Sequence, residues 1–260
     1  PSTDRMTLAM RVRASAGAWC LLLMACYLAL GAFYALRTPT WQNPDEPAHY
    51  NYLHQLATGG GFPVLAMGDY DQAYLERITA ANFPADVPVE PLRYEGHQPP
   101  LFYLLAAPVD AALSARPVAQ RVAAVRLLSL LLGVGTVVLT FAAARVVWPG
   151  RLTPAVLAAS LPALLPQHVA IAASVNNDAL SWSLSAAVLL LTLRLVAAPE
   201  RLAGTRQAVA LGAVLGAILV TKSTAYAALP LPAVALVLLR LTGREAGLPA
   251  VRGLVVAYLL

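Results

Sequence analysis

The sequence predicts an all-α fold: a polytopic bundle of membrane helices with a large loop, carrying interfacial helices, between the first span and the rest. Composition is the first ground, because apolar residues make up 59% of the 260 and charged residues only 12%. Spacing is the second. Apolar runs recur at about 15–36, 99–113, 119–147, 152–173, 179–197, 207–221, 224–241 and from about 250 onward, several of them near the roughly 20 residues that cross a bilayer core. The third is that the cations sort into alternate connections between these runs.

The run at 15–36 is followed by a long polar segment and further spans, which predicts an anchor and not a cleaved signal. The chain has no initiator Met and stops inside "VVAYLL", and is read as a piece of a longer protein. Cys20 and Cys26 are six apart in the first run, on different helix faces, so neither a disulfide nor a metal pair is expected.

The run at 99–113 decides the topology. It is short, starts with Pro99-Pro100 and contains Asp110, which predicts an interfacial or re-entrant helix. With that helix not crossing and the N-terminus cytoplasmic, the inner segments hold eleven cations (Arg5, Arg11, Arg13, Arg145, Arg151, Arg194, Arg201, Arg206, Arg240, Arg244 and Arg252) and three acids (Asp4, Glu200 and Glu245). Seven cations and ten acids then fall outside. If 99–113 crossed, eight of those arginines would move outside, against the positive-inside bias. Trp19 and Trp148 then sit near the inner boundary and Trp41 and Trp182 near the outer one, as interfacial belts require. The expectation is one membrane domain over 1–260, in the cell or plasma membrane: a first span at 15–36, an extracytoplasmic loop at 37–118, and further spans over 119–260. The loop's Pro, Gly and Tyr content predicts a folded cap.

On this assignment the unusual polar groups fall on the outer side, in four segments: "NPDEPAHY" (43–50), "EGHQPP" (95–100), "SVNNDAL" (174–180) and "TKST" (221–224). Asn43-Pro44-Asp45-Glu46 reads as a helix start, with Asn43 as cap, Pro44 at the first position and Glu46 three residues after the cap. It also reads as chemistry, since helical spacing puts His49 four residues after Asp45 and Tyr50 four after Glu46, and a carboxylate beside an imidazole makes a general base. His97 reads as a solvated surface histidine or a substrate contact, and Asn176-Asn177-Asp178 as a helix cap or part of a site. His168 reads as a satisfied core histidine. Lys222 is the single lysine among eighteen cations and lies between two apolar runs, where an ionisable group needs a partner or a task; snorkelling to the interface is its alternative. Arg126 is a second cation expected to face the same cavity. No Walker loop, Rossmann glycine pattern, HExxH pair or GxSxG elbow is present, and the basic residues form no nucleic-acid patch.

The ordered set resembles the GT-C-fold membrane glycosyltransferases, in particular the protein O-mannosyltransferases and the aminoarabinose transferases that modify lipid A (glycosyltransferase family 39-like). Those families share an Asp-Glu pair at the start of the first outer loop, a "PPL" helix preceded by His or Lys, an acid in the second outer loop and a Lys in a later "TK" turn. The matching residues are Asp45-Glu46, "HQPPLFYLL" with His97, Asp178 in "NNDAL" and Lys222 in "TKST", over about residues 15 to 240. Gln98, between His97 and the prolines, departs from the family pattern.

The resemblance implies an inverting transfer of a sugar from a polyprenyl-phosphate donor to a lipid, glycan or protein acceptor outside the cytoplasm. It implies Asp45, Glu46 and Asp178 as catalytic residues, with Asp45 the first choice of base. Lys222, with Arg126, would neutralise the leaving phosphate, and His49, His97 and Asn177 would contact substrate. A divalent metal on Asp45 and Asp178 is left open. The competing expectation is a transporter or other non-enzymatic membrane protein with an outward-facing polar cavity, although no inverted repeat is evident.

Overall fold

The computed structural model describes residues 2–84, 86–198, 205–242 and 248–259. Among these residues every element is helical. The α-helices are α1 (Ser2–Arg37), α2 (Glu46–Ala57), α3 (Gln72–Ala80), α4 (Leu101–Ala112), α5 (Val118–Val147), α6 (Thr153–Leu164), α7 (Pro166–Ala172), α8 (Asp178–Ala197), α9 (Thr205–Leu219), α10 (Leu231–Leu241) and α11 (Leu248–Leu259), with 3-10 turns at Tyr94–His97 and Ser223–Ala228. Four helical stretches are long and apolar enough to cross a membrane: Ser15–Arg37, Val118–Val147, Asp178–Ala197 and Ser223–Leu241. The α6–α7 pair is a fifth if its two pieces, bent by 59°, count as one span. This is the architecture of an integral membrane protein. Large apolar side chains such as Leu21, Phe33, Leu131, Leu161 and Val237 lie exposed along the crossing helices, as a lipid-facing surface requires.

Proline chemistry explains the bend. Pro166 has no N–H to donate into the helix and disfavours helical geometry at Leu165, which is extended at φ −69°, ψ 112°. The run at 99–113 forms α4, twelve residues long, too short for a core about 30 Å thick at about 1.5 Å per residue. The run at 207–221 forms α9, fifteen residues and likewise shorter than a full crossing.

α1 and α5 pack antiparallel with their backbones close together. A Cβ built on Gly31 would come 2.1 Å from Leu130 Cδ1, and one on Gly133 would come 2.1 Å from the Tyr27 hydroxyl. Small residues at helix contacts supply association in lipid, where apolar burial supplies little. α8 lies along the other side of α5, where the Ser183 hydroxyl donates to the Leu132 carbonyl at 2.6 Å and lies 3.1 Å from the Thr136 hydroxyl. A separate apolar core caps this bundle: Tyr50, Tyr52 and Leu53 of α2 pack with Phe102, Tyr103 and Ala106 of α4 and Val122 and Val125 of α5.

Hydrogen bonds between these segments put the end of α1 and the starts of α5, α8 and the Ser223–Leu241 span at one end of the bundle. Arg145, Arg151, Arg194, Arg206 and Arg240 belong to the opposite helix ends, matching the charge sorting read from the sequence. Of the other charges assigned there, Glu200, Arg201, Arg244 and Glu245 lie outside the described residues, as do the side chains of Asp4, Arg5, Arg11, Arg13 and Arg252.

The Gly133 contact is testable because Tyr27 is fully buried and its hydroxyl has no partner among the described residues. Gly133→Ala should destabilise the protein by about 1–3 kcal/mol through overpacking. Tyr27→Phe, which removes the clashing oxygen, should be neutral or stabilising alone and should recover most of that loss in the double variant. Thermal unfolding in detergent reads the set, and equal losses for Gly133→Ala with and without Tyr27→Phe would refute the contact.

Candidate functional site

The turn 41–45 splits the acid pair. Asp45 adopts a left-handed conformation, φ 57°, ψ 4°, at the N-cap of α2, a region that Asp tolerates better than most residues. Its side chain is left at the surface, while Glu46 is fully buried. The expected cap at Asn43 is therefore corrected. α2 begins at Glu46, and the Asn43 amide donates to Glu46 Oε1 at 3.2 Å instead of accepting from the helix.

Glu46 is tied into the bundle from every side. Arg126 on α5 donates to both of its oxygens, Nε to Oε1 at 2.7 Å and Nη2 to Oε2 at 2.5 Å. The backbone N–H groups of Trp41 and Val175 donate at 3.1 Å each. Arg126 spends its remaining donors on the carbonyls of Ala35, Thr38 and Pro39. A buried carboxylate needs such a donor set to offset its desolvation. The expectation that Arg126 faces a shared cavity with Lys222 is corrected by the same geometry, because its guanidinium donors all go to Glu46 and to carbonyls at the end of α1.

The other predicted residues lie along one chain of contacts. The Tyr94 hydroxyl donates to Asp45 Oδ1 at 2.9 Å. The neighbouring Glu95 accepts from Gln98 Nε2 at 2.8 Å. Gln98 Oε1 accepts from Asn177 Nδ2 at 3.2 Å, and that amide also donates to the Thr221 carbonyl at 3.0 Å. Next to these, Lys222 Nζ meets Asp178 Oδ1 at 2.8 Å, with both side chains partly open to solvent. The Leu101 N–H donates to the Val220 carbonyl at 2.8 Å and pins the start of α4 to the turn carrying Lys222. Gln98 is thus the residue that bridges the two halves of the cluster.

Electrostatics places the remaining members. Burial, with Lys222 and His97 adding like charge, lowers the His49 pKa from 6.5 to about 3, so the ring is neutral at physiological pH. Its Nδ1 lies 2.7 Å from the Tyr103 hydroxyl, and its Nε2 lies 4.0 Å from Glu95 Oε2. Burial raises the Glu95 carboxyl above the usual range; Gln98 opposes this, Asp45 adds to it, and His97 and Lys222 oppose it. Asp45, His97 and Lys222 are therefore all within electrostatic reach of Glu95. His97 itself is exposed, its Nδ1 2.8 Å from the Tyr94 carbonyl.

The structure thus gathers Asp45, His49, His97, Asn177, Asp178 and Lys222 around Glu95 and Gln98, and sets Glu46 and Arg126 beneath them as a brace. Glu95 and Tyr103 were missed in the sequence; the signal for Glu95 was its place two residues before His97 in "EGHQPP". His168 is set apart, stacked on Trp182 at 4.4 Å between ring centroids, and the expectation of a satisfied core histidine is corrected, because the residue is half-buried and its Nδ1 has no hydrogen-bond partner among the described residues. Among the described residues no three His, Cys, Asp or Glu side chains group as a metal site. The cation beside Asp178 is the Lys222 ammonium. The chain matches no protein-family model, no curated protein and no solved structure.

The buried His49 makes stability pH-dependent with a defined sign. The unfolded chain takes up a proton near pH 6.5, whereas the folded protein does so only near pH 3. The contribution is complete above pH 6.5 and is lost as pH falls toward 3, by up to about 1.4 kcal/mol per pH unit. Glu95, with its raised pKa, works the other way, since the folded state takes up its proton first. Thermal midpoints measured from pH 7 to 4.5 should fall in the wild type and fall less steeply in His49→Gln. Parallel profiles would show that another group titrates.

Proposed function

We propose that the chain is a GT-C-like membrane glycosyltransferase that moves a hexosyl or pentosyl group from a polyprenyl-phosphate donor to an acceptor hydroxyl or amine on the extracytoplasmic side. One observation carries this reading: an exposed carboxylate, Asp45, and a lysine ammonium, Lys222, stand on one chain of contacts at the end of the bundle that gathers the unusual polar segments. A lipid-linked donor suits that position. Its tail runs along the exposed apolar helices, its phosphate meets the cation at the interface, and its sugar projects into the polar cap.

In this reading Asp45 is the general base. Its carboxylate takes the proton of the acceptor as that atom attacks the anomeric carbon from the face opposite the phosphate. The new bond to the anomeric carbon forms as the bond to the phosphate oxygen breaks, and the electron pair leaves on the lipid phosphate with inversion. Lys222 neutralises the charge that builds there, a preorganised electrostatic contribution. Asp178 holds the ammonium in place, His49 stays neutral and adds no competing charge, and His97 and Asn177 border the donor. Glu46 and Arg126 act as positioning residues, because their polar atoms are committed to each other and to backbone.

The test separates the two central roles. Asp45→Asn should slow transfer by at least about 10²-fold, the usual lower scale of general-base assistance, and leave donor binding intact. Lys222→Met should weaken binding and turnover together, since the cation serves ground and transition states alike. Labelled polyprenyl-phosphate sugar, mixed with the protein in membranes that supply the acceptor, gives both quantities. Donor left intact by the wild type would favour the transporter reading, and wild-type transfer by Asp45→Asn would remove the proposed base.

A further inference from the structure

On the other side of α2 lies a cleft of about 480 Å³, between α2, the start of α5 and the segments 83–84 and 87–90. Its size falls within the roughly 300–1,000 Å³ of small-molecule sites. Trp41 and Phe83, both half-buried, provide aromatic surface, and His54, Glu90 and Arg121 provide polar groups. None of these belongs to the Asp45–Lys222 chain of contacts.

The cleft is braced from behind. Asp110 is completely buried and receives Arg121 Nε at 2.8 Å and Nη2 at 2.5 Å, the Tyr50 hydroxyl at 2.7 Å, and His54 with Nδ1 at 2.8 Å. Arg121, Tyr50 and His54 are thereby locked in orientation, and the arginine charge is neutralised before any ligand arrives. Tyr50 and His54 stack at 5.7 Å, and Trp41 meets Tyr50 edge-on at 5.2 Å.

Backbone strain marks the same place. Four non-glycine residues among those described have positive φ, and two of them are the bulky aromatics at this cleft, Trp41 at 72° and Phe83 at 54°. Aromatic side chains avoid that region, and such outliers persist where the surroundings enforce them, often at ligand sites. Gln42 Nε2 donates to the Asn82 carbonyl at 3.2 Å and ties the two strained turns together.

From these features we infer that the cleft is a binding site for an uncharged saccharide, separate from the Asp45–Lys222 cluster. A sugar ring offers polarised C–H groups to the electron-rich faces of aromatic rings, and hydroxyls that donate to Glu90 and accept from Arg121. A phosphorylated ligand would need an uncompensated cation, and Asp110 already compensates Arg121. A lipid tail would leave Glu90 and His54 desolvated without partners.

Calorimetric titration of the full chain, in a zwitterionic detergent free of sugar headgroups, tests this with maltotriose, mannotriose and triacetylchitotriose, and with inorganic phosphate as the anionic comparison. At least one trisaccharide should bind and phosphate should not. Phe83→Gly removes the ring at a position where glycine takes φ 54° without strain, so the thermal midpoint should hold or rise while affinity drops at least tenfold. Lys222→Met should bind the trisaccharide as the wild type does, which keeps this result independent of the proposed donor site. The inference is overturned if no trisaccharide binds, if phosphate binds in their place, or if Phe83→Gly binds with unchanged affinity.

Discussion

The Glu46–Arg126 ion pair is the constraint on which the arrangement of the polar end depends. It joins positions 80 residues apart in a place where both side chains are almost wholly removed from water. Charges so placed repay their desolvation only when the remaining donors and acceptors are also filled, and here the fillers are backbone groups of separate segments. Arg126 gathers the carbonyls at the end of α1, and Glu46 gathers the N–H groups of Trp41 and Val175. The exit of the first span, the start of α2, the upper part of α5 and the loop before α8 are thereby fixed to one another.

That brace explains why two adjacent acids have different environments. With Glu46 drawn inward, the left-handed turn at Asp45 sends its neighbour outward to Tyr94, so one carboxylate holds the fold while the other remains available to a substrate. The loop held by Val175 leads directly into Asn177 and Asp178, and through them to Gln98, Thr221 and Lys222. The candidate site is built on the brace and does not include it.

Much of the fold was legible in the sequence because membrane helices announce themselves by length and apolarity. The shortness of the run at 99–113 correctly gave a helix too short to cross, and the broken run at 152–173 is where Pro166 bends the chain. Partner choice was harder to read. "DE" reads as a pair of equivalent acids, and only the positive φ of Asp45, a consequence of the tertiary pull on Glu46, separates them. Arg126 in an apolar run signalled that a partner or a cavity was needed, but periodicity does not say which. Asp110 carried the same kind of signal in a twelve-residue apolar helix; its partners Tyr50, His54 and Arg121 come from α2 and α5, and their convergence is a property of packing that local sequence does not encode.

The central claim is that Glu46 and Arg126 act as one clasp holding these segments together, and a double-mutant cycle of unfolding free energy on Glu46→Gln and Arg126→Met tests it most directly. The account predicts that each single variant loses about 3–5 kcal/mol, since each leaves a buried, unpaired group behind, and that the double variant loses far less than the sum of the two. Additive losses, or a Glu46→Gln variant as stable as the wild type, would contradict it.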